Sequence, residues 1–464
     1  MLSPVILNIY YLITAVLFFV MMYRYRQSMV AWLLIVIYFN GLFDYVIPHG
    51  AQLVRIVTVL WCLYLFLKLN LMKILTQHWL LTFVFALFSI YFLLDTLLWA
   101  TDGIVIVFSQ YSKYFVPFVS LLIFIHYAEI DSRYLHWFNR LFGELILIQI
   151  IVTVVKIILL RGLWWEGLVG TFGAVRGGGA GTSFPVVALC WLAINTNMKL
   201  TGWKSWGFIA GLLAIGIMTG KRAVIILFPV MFLLLGMWVA KRKYPKSVMS
   251  IVILSPLLLY FGLRLTPSLN PENKVWGSFD PAYVWNYAMD YSFGEEDKTG
   301  ERGVGQGRVG ADLLLWQMIT DSDNYTAQSW LGYGVKRIYA ADYELYRDVD
   351  YNFGVNHRGS LTGVFMLYIA IGLIGVILFM IYYYCLFLLI PYKRLRFACY
   401  GYVMFDFIFY NTMTIRDPAL AVLMCFVIIY ANIQYTSKGQ YVGIVYPWFG
   451  NKKIIGNNKI VNRI

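Results

Sequence analysis

Residues 361–390 read LTGVFMLYIAIGLIGVILFMIYYYCLFLLI and contain no Asp, Glu, Lys, Arg or His. An α-helix rises about 1.5 Å per residue, so roughly 20 apolar residues cross the hydrocarbon core of a bilayer. An uncharged run of this length is therefore predicted to span a membrane. Apolar blocks of similar length recur before and after it, and they predict the same environment for most of the chain.

The composition of the whole chain supports this prediction. Of the 464 residues, 61% are hydrophobic and 13% are charged, whereas soluble domains carry about 25% charged residues. A soluble protein with this composition could not present a mostly polar surface. We therefore predict an all-α polytopic membrane protein whose first apolar block is a retained helix rather than a signal peptide.

The apolar blocks predict about 13 transmembrane helices, within a range of about 12 to 14. The candidates are Pro4–Met22, Val30–Ile47, Leu53–Leu67, Trp79–Trp99, Ile104–Tyr127, Leu141–Leu160, Thr182–Asn195, Trp206–Thr219, Ala223–Ala240, Val248–Leu263, Leu361–Ile390, Phe397–Asn411 and Ala419–Tyr435. They divide the chain into helices within 1–265, a large polar loop over 266–358, further helices within 359–435 and a basic tail, 436–464.

Lysine and arginine are unequally shared between the two alternating sets of loops. One set, with the C-terminal tail, holds 20 of them, and the short loops and helix ends of the other set hold seven. Cytoplasmic loops are enriched in these residues. The N-terminus is therefore predicted to be outside and the C-terminus in the cytoplasm. This asymmetry and attraction to anionic lipid explain the net charge of +14, so no nucleic-acid partner is indicated.

The large loop, Thr266 to Arg358, has the opposite charge balance. It carries 8 Lys and Arg against 14 Asp and Glu, a net charge of −6. The orientation above places it on the extracytoplasmic face, and loops of this length are usually functional. An amphipathic stretch within it, Val309 to Ile319, predicts a short helix.

Five ionisable residues fall in the middle or outer half of predicted helices: Asp44, Asp95, Lys113, Lys156 and Asp406. Such residues are costly in lipid and mark candidate functional sites. They predict chemistry or binding at the extracytoplasmic side. The alternative is that Lys113 and Lys156 only reach the interface with their charged ends, or pair with Asp95 and Asp44 as structural ties.

Three segments share one predicted face of the membrane. The first, Met218-Thr219-Gly220-Lys221-Arg222-Ala223, joins two helices. The second has Gly307-Arg308, then Trp316, then Trp330-Leu331-Gly332-Tyr333-Gly334. The third, Asn356-His357-Arg358-Gly359-Ser360-Leu361, precedes a helix containing Gly372-Leu373-Ile374-Gly375. A glycine-rich outer loop, 170–181, lies upstream of all three.

This arrangement resembles the O-antigen polymerase (Wzy) and O-antigen ligase superfamily of bacterial membrane glycosyltransferases. The first segment is similar to the family's Thr-x-Ser-Arg-Gly step, with Lys221 in place of the small residue. The third is similar to its His-Asn-x-x-Leu motif and following Gly-x-x-Gly, with Arg358 in place of the asparagine. The resemblance extends from Gly170 to Gly375 and implies a GT-C-like helical protein of the bacterial inner membrane.

The resemblance also implies an activity. Undecaprenyl-diphosphate-linked oligosaccharide repeat units would be polymerised at the extracytoplasmic face into an O-antigen, a capsule or an exopolysaccharide. The substrate would be the undecaprenyl-diphosphate-linked glycan, and the protein would be surrounded by membrane lipid. Its protein partner would be a chain-length regulator. A surface-glycan ligase is the main alternative. A flippase is less favoured, because internal repeats between the two halves are not evident.

The leaving group of such a reaction is a lipid diphosphate, which calls for fixed positive charge around its oxygens. Arginine provides this because its planar guanidinium binds phosphate through two parallel hydrogen bonds. Arg222 and Arg308 are the leading diphosphate ligands, Arg176 is the third, and Lys221 and Arg358 are further substrate-binding candidates.

His357 is the candidate catalytic residue. An imidazole with an unperturbed pKa near ~6.5 accepts a proton from an acceptor hydroxyl at neutral pH. The alternative is that His357 caps the helix beginning near Ser360.

No metal or cofactor is predicted. A lipid-linked donor is already activated by its diphosphate, and no Walker or dinucleotide fingerprint is present. Asp321-Ser322-Asp323 has the form of a nucleotide-sugar metal site, but it is more simply the polar end of the predicted short helix. All five cysteines fall in predicted helices, so we expect them to be apolar packing residues.

Overall fold

The computed structural model describes residues 4–47, 50–98, 104–160, 169–172, 180–196, 203–218, 222–240, 245–293, 312, 316, 330–332, 334, 362–410 and 413–436. Helices account for 88% of this part of the chain, and it contains no strand. The all-α prediction is therefore confirmed. The short helix predicted over Val309 to Ile319 lies almost entirely outside the described residues.

The helices before the large loop are α1 (Pro4–Arg24), α2 (Met29–Tyr38), α3 (Asn40–Val46), α4 (Gly50–Lys68), α5 (Met72–Gln77), α6 (Trp79–Leu98), α7 (Ile104–Ile130), α8 (Ser132–Leu160), α9 (Ala180–Thr196), α10 (Trp203–Met218), α11 (Arg222–Ala240) and α12 (Pro245–Leu265). A 3₁₀ turn (Pro267–Leu269) and α13 (Pro281–Phe293) open the loop. The helices after it are α14 (Gly363–Leu388), α15 (Lys393–Phe409), α16 (Met413–Arg416) and α17 (Pro418–Thr436).

Four of the described helices are long and apolar enough to cross a membrane, and α2 with α3 forms a fifth if that bent pair is one span. The four are Val5–Arg24, Val107–Ile130, Arg133–Leu159 and Gly363–Leu388. Shorter apolar helices occupy most of the other predicted positions. A helical membrane protein is thus confirmed, while the full number of spans stays a prediction.

Helix α17 lies at the centre of the bundle. Every residue from Ala419 to Ile433 is buried, and the helix packs against α7, α9, α2 and α8. A helix that is apolar on all sides is expected in such a position, because no face of it has to meet a polar solvent. The five cysteines are all buried, as expected for packing residues.

Two helices are broken, and the sequence predicted each of them as continuous. Where one helix was expected over Val30–Ile47, α2 and α3 meet at an angle of 66° because Phe39 leaves the helical conformation. Helix α14 is interrupted at Ile371 and Gly372, whose backbone angles are not helical. A break frees backbone groups that water cannot reach inside a membrane bundle, so other parts of the chain must bond to them.

Candidate functional site

The end of the bundle at which α14 begins is where the later part of the large loop, from Asp312 onward, makes its described contacts. Thr362 caps α14, since its hydroxyl oxygen accepts a hydrogen bond from the N–H of Phe365 at 3.5 Å. The same residue donates to the carboxylate of Asp312, from its N–H at 3.2 Å and from its hydroxyl at 2.5 Å. Both residues are buried. This pair, the Asp312–Thr362 contact, joins two parts of the chain 50 residues apart.

A second contact lies four residues further along the loop and six residues further along the α14 segment. The ring of Trp316 packs on that of Tyr368, with centroids 5.9 Å apart. Residues four apart lie on one face of a helix, and Asp312 and Trp316 have this spacing. Both therefore contact the first two turns of α14.

The glycine motif of the loop packs directly into the break in α14. Gly334 donates its N–H to the carbonyl of Ala370 at 3.1 Å, which replaces the helical bond lost at the break. A Cβ added at Gly332 would lie 2.5 Å from the nitrogen of Gly372, and one added at Gly372 would lie 2.2 Å from the carbonyl oxygen of Trp330. Backbone meets backbone here, so no side chain fits at either position.

All three of these glycines also have positive φ angles, +87° at Gly332, +92° at Gly334 and +65° at Gly372. Other residues rarely adopt such angles. The carbonyl of Trp330 additionally accepts a hydrogen bond from the hydroxyl of Tyr91 on α6 at 3.1 Å. The two glycine motifs singled out in the sequence are therefore the two halves of one loop–helix junction.

The glycine-rich loop upstream has an equivalent role at the other break. Thr171 donates its hydroxyl to the carbonyl of Tyr38 at 2.5 Å, and its own carbonyl accepts from the N–H of Gly41 at 2.9 Å. These two groups flank the turn between α2 and α3. Residues 169–172 are all buried, so this segment enters the bundle and bonds to the broken helix.

Helix α8 holds the segment 169–172 from the opposite side. The N–H of Thr171 donates to the side-chain oxygen of Gln149 at 2.6 Å, and the N–H of Gly170 donates to the hydroxyl of Thr153 at 2.9 Å. Lys156 continues this face of α8, and its ammonium group lies 5.3 Å from the ring centroid of Tyr10. Lys156 is fully buried. Its ammonium group therefore does not reach water at the membrane interface, which was one of the alternatives considered for this lysine.

A further polar group, the α7 polar cluster, comprises Arg55, Ser109, Gln110, Lys113 and Asp417. Arg55 donates to the hydroxyl of Ser109 at 3.3 Å, and buried Lys113 donates to the side-chain oxygen of Gln110. The carboxylate of Asp417 caps α17, accepting from the N–H of Ala419 at 2.9 Å.

The charge on Asp417 is controlled by its surroundings. Burial raises its pKa to about 6, although its backbone hydrogen bonds and the nearby cations Arg55 and Lys113 oppose that rise. Asp417, which lies between α16 and α17, therefore titrates closer to neutral pH than an ordinary aspartate does.

Contacts at the same end link this cluster to the loop junction. The N–H of Gly363 donates to the carbonyl of Tyr410 at 2.7 Å, joining the start of α14 to the end of α15. From there, Asp406 on α15 accepts from the N–H of Thr414 on α16 at 2.9 Å. Helix α16 leads directly to Asp417. One end of the bundle thus holds the loop junction, the α7 polar cluster and both helix breaks.

The structure describes little of the site residues predicted from the sequence. Arg222 is the first residue of α11, and its side chain lies outside the described part. Outside the described residues lie Arg176, Lys221, Arg308, His357 and Arg358, as does Asp321-Ser322-Asp323. The structure does bring together Asp312 and Thr362. Asp312 follows the predicted ligand Arg308 by four residues, and Thr362 follows the predicted base His357 by five.

Several residues of this region were not anticipated. Thr362 and Asp417 each stand immediately before an apolar helix, which is a recognisable N-cap signal. Gln149 could have been noted as a polar residue within an apolar block. Thr171 lies in the glycine-rich loop singled out from the sequence, but its hydrogen bonds to the broken helix were not predicted. Nothing local in the sequence distinguishes Asp312 from the other acidic residues of the loop.

Comparison with known proteins identifies no relative. No family model matches the chain, and no curated protein or solved structure matches it either. The resemblance to membrane glycosyltransferases therefore depends on the sequence motifs alone.

Proposed function

We propose that this protein polymerises undecaprenyl-diphosphate-linked oligosaccharide repeat units into a surface polysaccharide, at the extracytoplasmic face of the bacterial inner membrane. The proposal includes the finer predictions made from the sequence: about 13 spans, a GT-C-like arrangement, an external N-terminus and a cytoplasmic C-terminus.

The Asp312–Thr362 contact is the observation that supports the proposal best. Arg308 lies four residues before Asp312, and His357 lies five residues before Thr362. A predicted diphosphate ligand and a predicted base, almost 50 positions apart in the chain, are thus each only a few residues in sequence from one partner of this contact.

The proposed reaction has one covalent exchange. The acceptor hydroxyl attacks the anomeric carbon of the donor glycan, and the bond from that carbon to the diphosphate oxygen breaks. The diphosphate leaves with the electron pair, and Arg222 and Arg308 stabilise its growing charge. His357 accepts the proton of the hydroxyl.

Reconstitution of the purified protein with a carrier-linked repeat unit tests the proposal. A ladder of carrier-linked polymers is expected, and the variants Arg222→Ala and Arg308→Ala should yield single units. The variant Arg308→Lys should also be poor, because an ammonium group cannot form the paired hydrogen bonds of a guanidinium.

A deletion strain distinguishes the competing functions. Single repeat units at the surface are expected for a polymerase. Complete polymers retained on the carrier would instead indicate a ligase, and repeat units accumulating at the cytoplasmic face would indicate a flippase. Either of these two results would overturn the proposal.

A further inference from the structure

The first part of the large loop folds back onto the end of α12. Arg264, in the last turn of α12, donates its Nε–H to the carbonyl of Gly277 at 2.8 Å, and the N–H of Gly277 donates to the carbonyl of Arg264 at 3.0 Å. The buried amide of Asn270 closes the turn, donating to the carbonyls of Thr266 at 3.0 Å and Lys274 at 2.9 Å. Residues 266–280 therefore form an ordered connection to α13.

Helix α13 exposes its apolar side. Asp280 caps it by accepting from the N–H of Tyr283 at 3.0 Å. The exposed positions Ala282, Trp285, Asn286 and Met289 have the spacing of one helical face. Trp285 is 67% exposed, and only Asn286 on this face is polar. A surface helix in water has the reverse arrangement, with its polar side outward.

The preceding turn adds to this surface. Val275, Trp276 and Phe279 are exposed as well, and with Trp285 and Met289 they form what we term the aromatic patch. Exposed apolar surface of this kind marks an interaction site. Its place in the fold indicates what it contacts.

The aromatic patch continues the exposed apolar face of α12. On α12, Ile253, Leu257 and Phe261 are exposed at intervals of four residues, as expected for a stripe that faces lipid. The ring of Trp276 packs against that of Phe261, with centroids 5.8 Å apart. Phe279 packs against Tyr260, the preceding residue of α12, at 5.1 Å. The exposed apolar surface of α12 therefore continues onto the turn before α13.

We propose that residues 275–293 lie in the membrane interface, with the aromatic patch inserted among the lipid headgroups at the end of α12. Tryptophan and tyrosine favour this region because their rings are apolar and their polar tips remain hydrated. An interfacial helix buries its apolar face about 5–10 Å into the headgroup and acyl boundary. This proposal does not depend on the proposed polymerase activity.

The chemistry of the segment specifies the lipid. Residues 275–293 contain Asp280 and Asp290 but no Lys or Arg. The guanidinium of Arg264 lies 4.4 Å from the ring centroid of Trp276, but it already donates to the carbonyl of Gly277 and the hydroxyl of Tyr260, so insertion does not require anionic headgroups. Insertion by apolar and aromatic contact alone should proceed in zwitterionic phosphatidylcholine. A glycan stacked on the aromatic rings is the competing occupant.

Spin labels in nanodiscs test the assignment. The variants Trp285→Cys and Met289→Cys are labelled in phosphatidylcholine nanodiscs, and collision rates with oxygen and with a water-soluble nickel chelate are compared. The described native cysteines are all buried, and unsubstituted protein measures background labelling. Lys274→Cys, at an exposed position of the same turn, is the water-facing control.

The expected ratio of oxygen to nickel collision rates is above unity at positions 285 and 289 and below unity at position 274. Met289→Cys is the milder change. If Trp285→Cys does not fold, the collision-rate ratio at position 289 alone tests the proposal. Ratios below unity at both patch positions would overturn the proposal. So would a label immobilised only after a lipid-linked glycan is added, since that result would identify the patch as a sugar-binding surface.

Discussion

Gly372 is the position at which the loop backbone and the α14 backbone come closest together. It has φ +65° and ψ −174°, a conformation that only glycine adopts without strain, and other residues there cost roughly 1–3 kcal/mol. A Cβ would also meet the carbonyl oxygen of Trp330 at 2.2 Å. We expect Gly372→Ala to lower the thermal unfolding temperature of the purified protein and to displace the loop.

Gly401 provides the matched control for this prediction. It lies inside α15, and a Cβ there would meet nothing within 4 Å. Alanine is favoured over glycine inside a helix by roughly 0.5–1 kcal/mol, so Gly401→Ala should leave the unfolding temperature unchanged or raise it. Equal effects of the two substitutions would contradict the role assigned to Gly372.

His357 is the residue for which the proposed function makes the sharpest prediction. If it is the general base, His357→Ala should lower turnover by on the order of 10²–10⁴ while donor binding stays nearly unchanged. Activity of the unsubstituted protein should rise with pH through the ordinary histidine range near ~6.5 and then level off.

His357→Gln separates a base from a helix cap, because glutamine retains hydrogen bonding without useful basicity. The measurement is polymer length and initial rate in the reconstituted system. Near-normal chain length in this variant would show that His357 is structural, and Arg358 would then be the better candidate for contact with the substrate.

At the scale of elements, the loop and α14 are connected through the Asp312–Thr362 contact. Hydrogen bonds to a charged group contribute roughly 1.5–3 kcal/mol. Asp312→Asn and Thr362→Val should each increase protease cleavage of the loop, while Thr362→Ser, which keeps the hydroxyl, should not. A double-mutant cycle on unfolding temperature should show strong non-additivity. Additive effects would mean that the two side chains act separately.

The start of α17 should make stability depend on pH. The pKa of Asp417 is about 6 in the folded protein against an ordinary value of 3.8. The folded state therefore retains the proton more tightly between these values. The contribution of Asp417 to the free energy of unfolding is therefore present at low pH. It is lost as pH rises through that window, by up to about 1.4 kcal/mol per pH unit.

Asp417→Asn removes this titration and keeps an acceptor for the helix cap. Unfolding temperatures measured from about pH 4 to about pH 7 should fall less steeply for this variant than for the unsubstituted protein. Identical pH profiles would assign the dependence to another group.

Hydrophobicity along the chain was sufficient to predict where most helices lie, because a bilayer requires long apolar segments. It did not predict the turn at Phe39, where the apolar character continues and hydrogen bonds with the distant Thr171 stabilise the break. The short helices α5 and α13 were missed for a related reason, since neither is long enough to be recognised as a span. Pairings such as Asp312 with Thr362 depend on the three-dimensional fold rather than on local sequence.

At the scale of the whole molecule, the main prediction is topology. The large loop and the turn at Lys221-Arg222 should be outside, and residues 241–246 and the C-terminal tail should be inside, because the basic residues are concentrated in the second group. Cysteines introduced at Asp297 and Lys452 can be probed with an impermeant reagent, since the described native cysteines are buried. Modification of both positions from the same side would refute this orientation.

The central position of α17 has a consequence for biogenesis. It is the last described helix to leave the ribosome, yet α7, α9, α2 and α8, all made much earlier, pack around it. Until α17 enters the membrane, those helices lack their shared partner, and the nascent bundle remains open to quality-control proteases. A chain terminated before Pro418 should therefore be degraded soon after synthesis, even though all the earlier helices have been inserted.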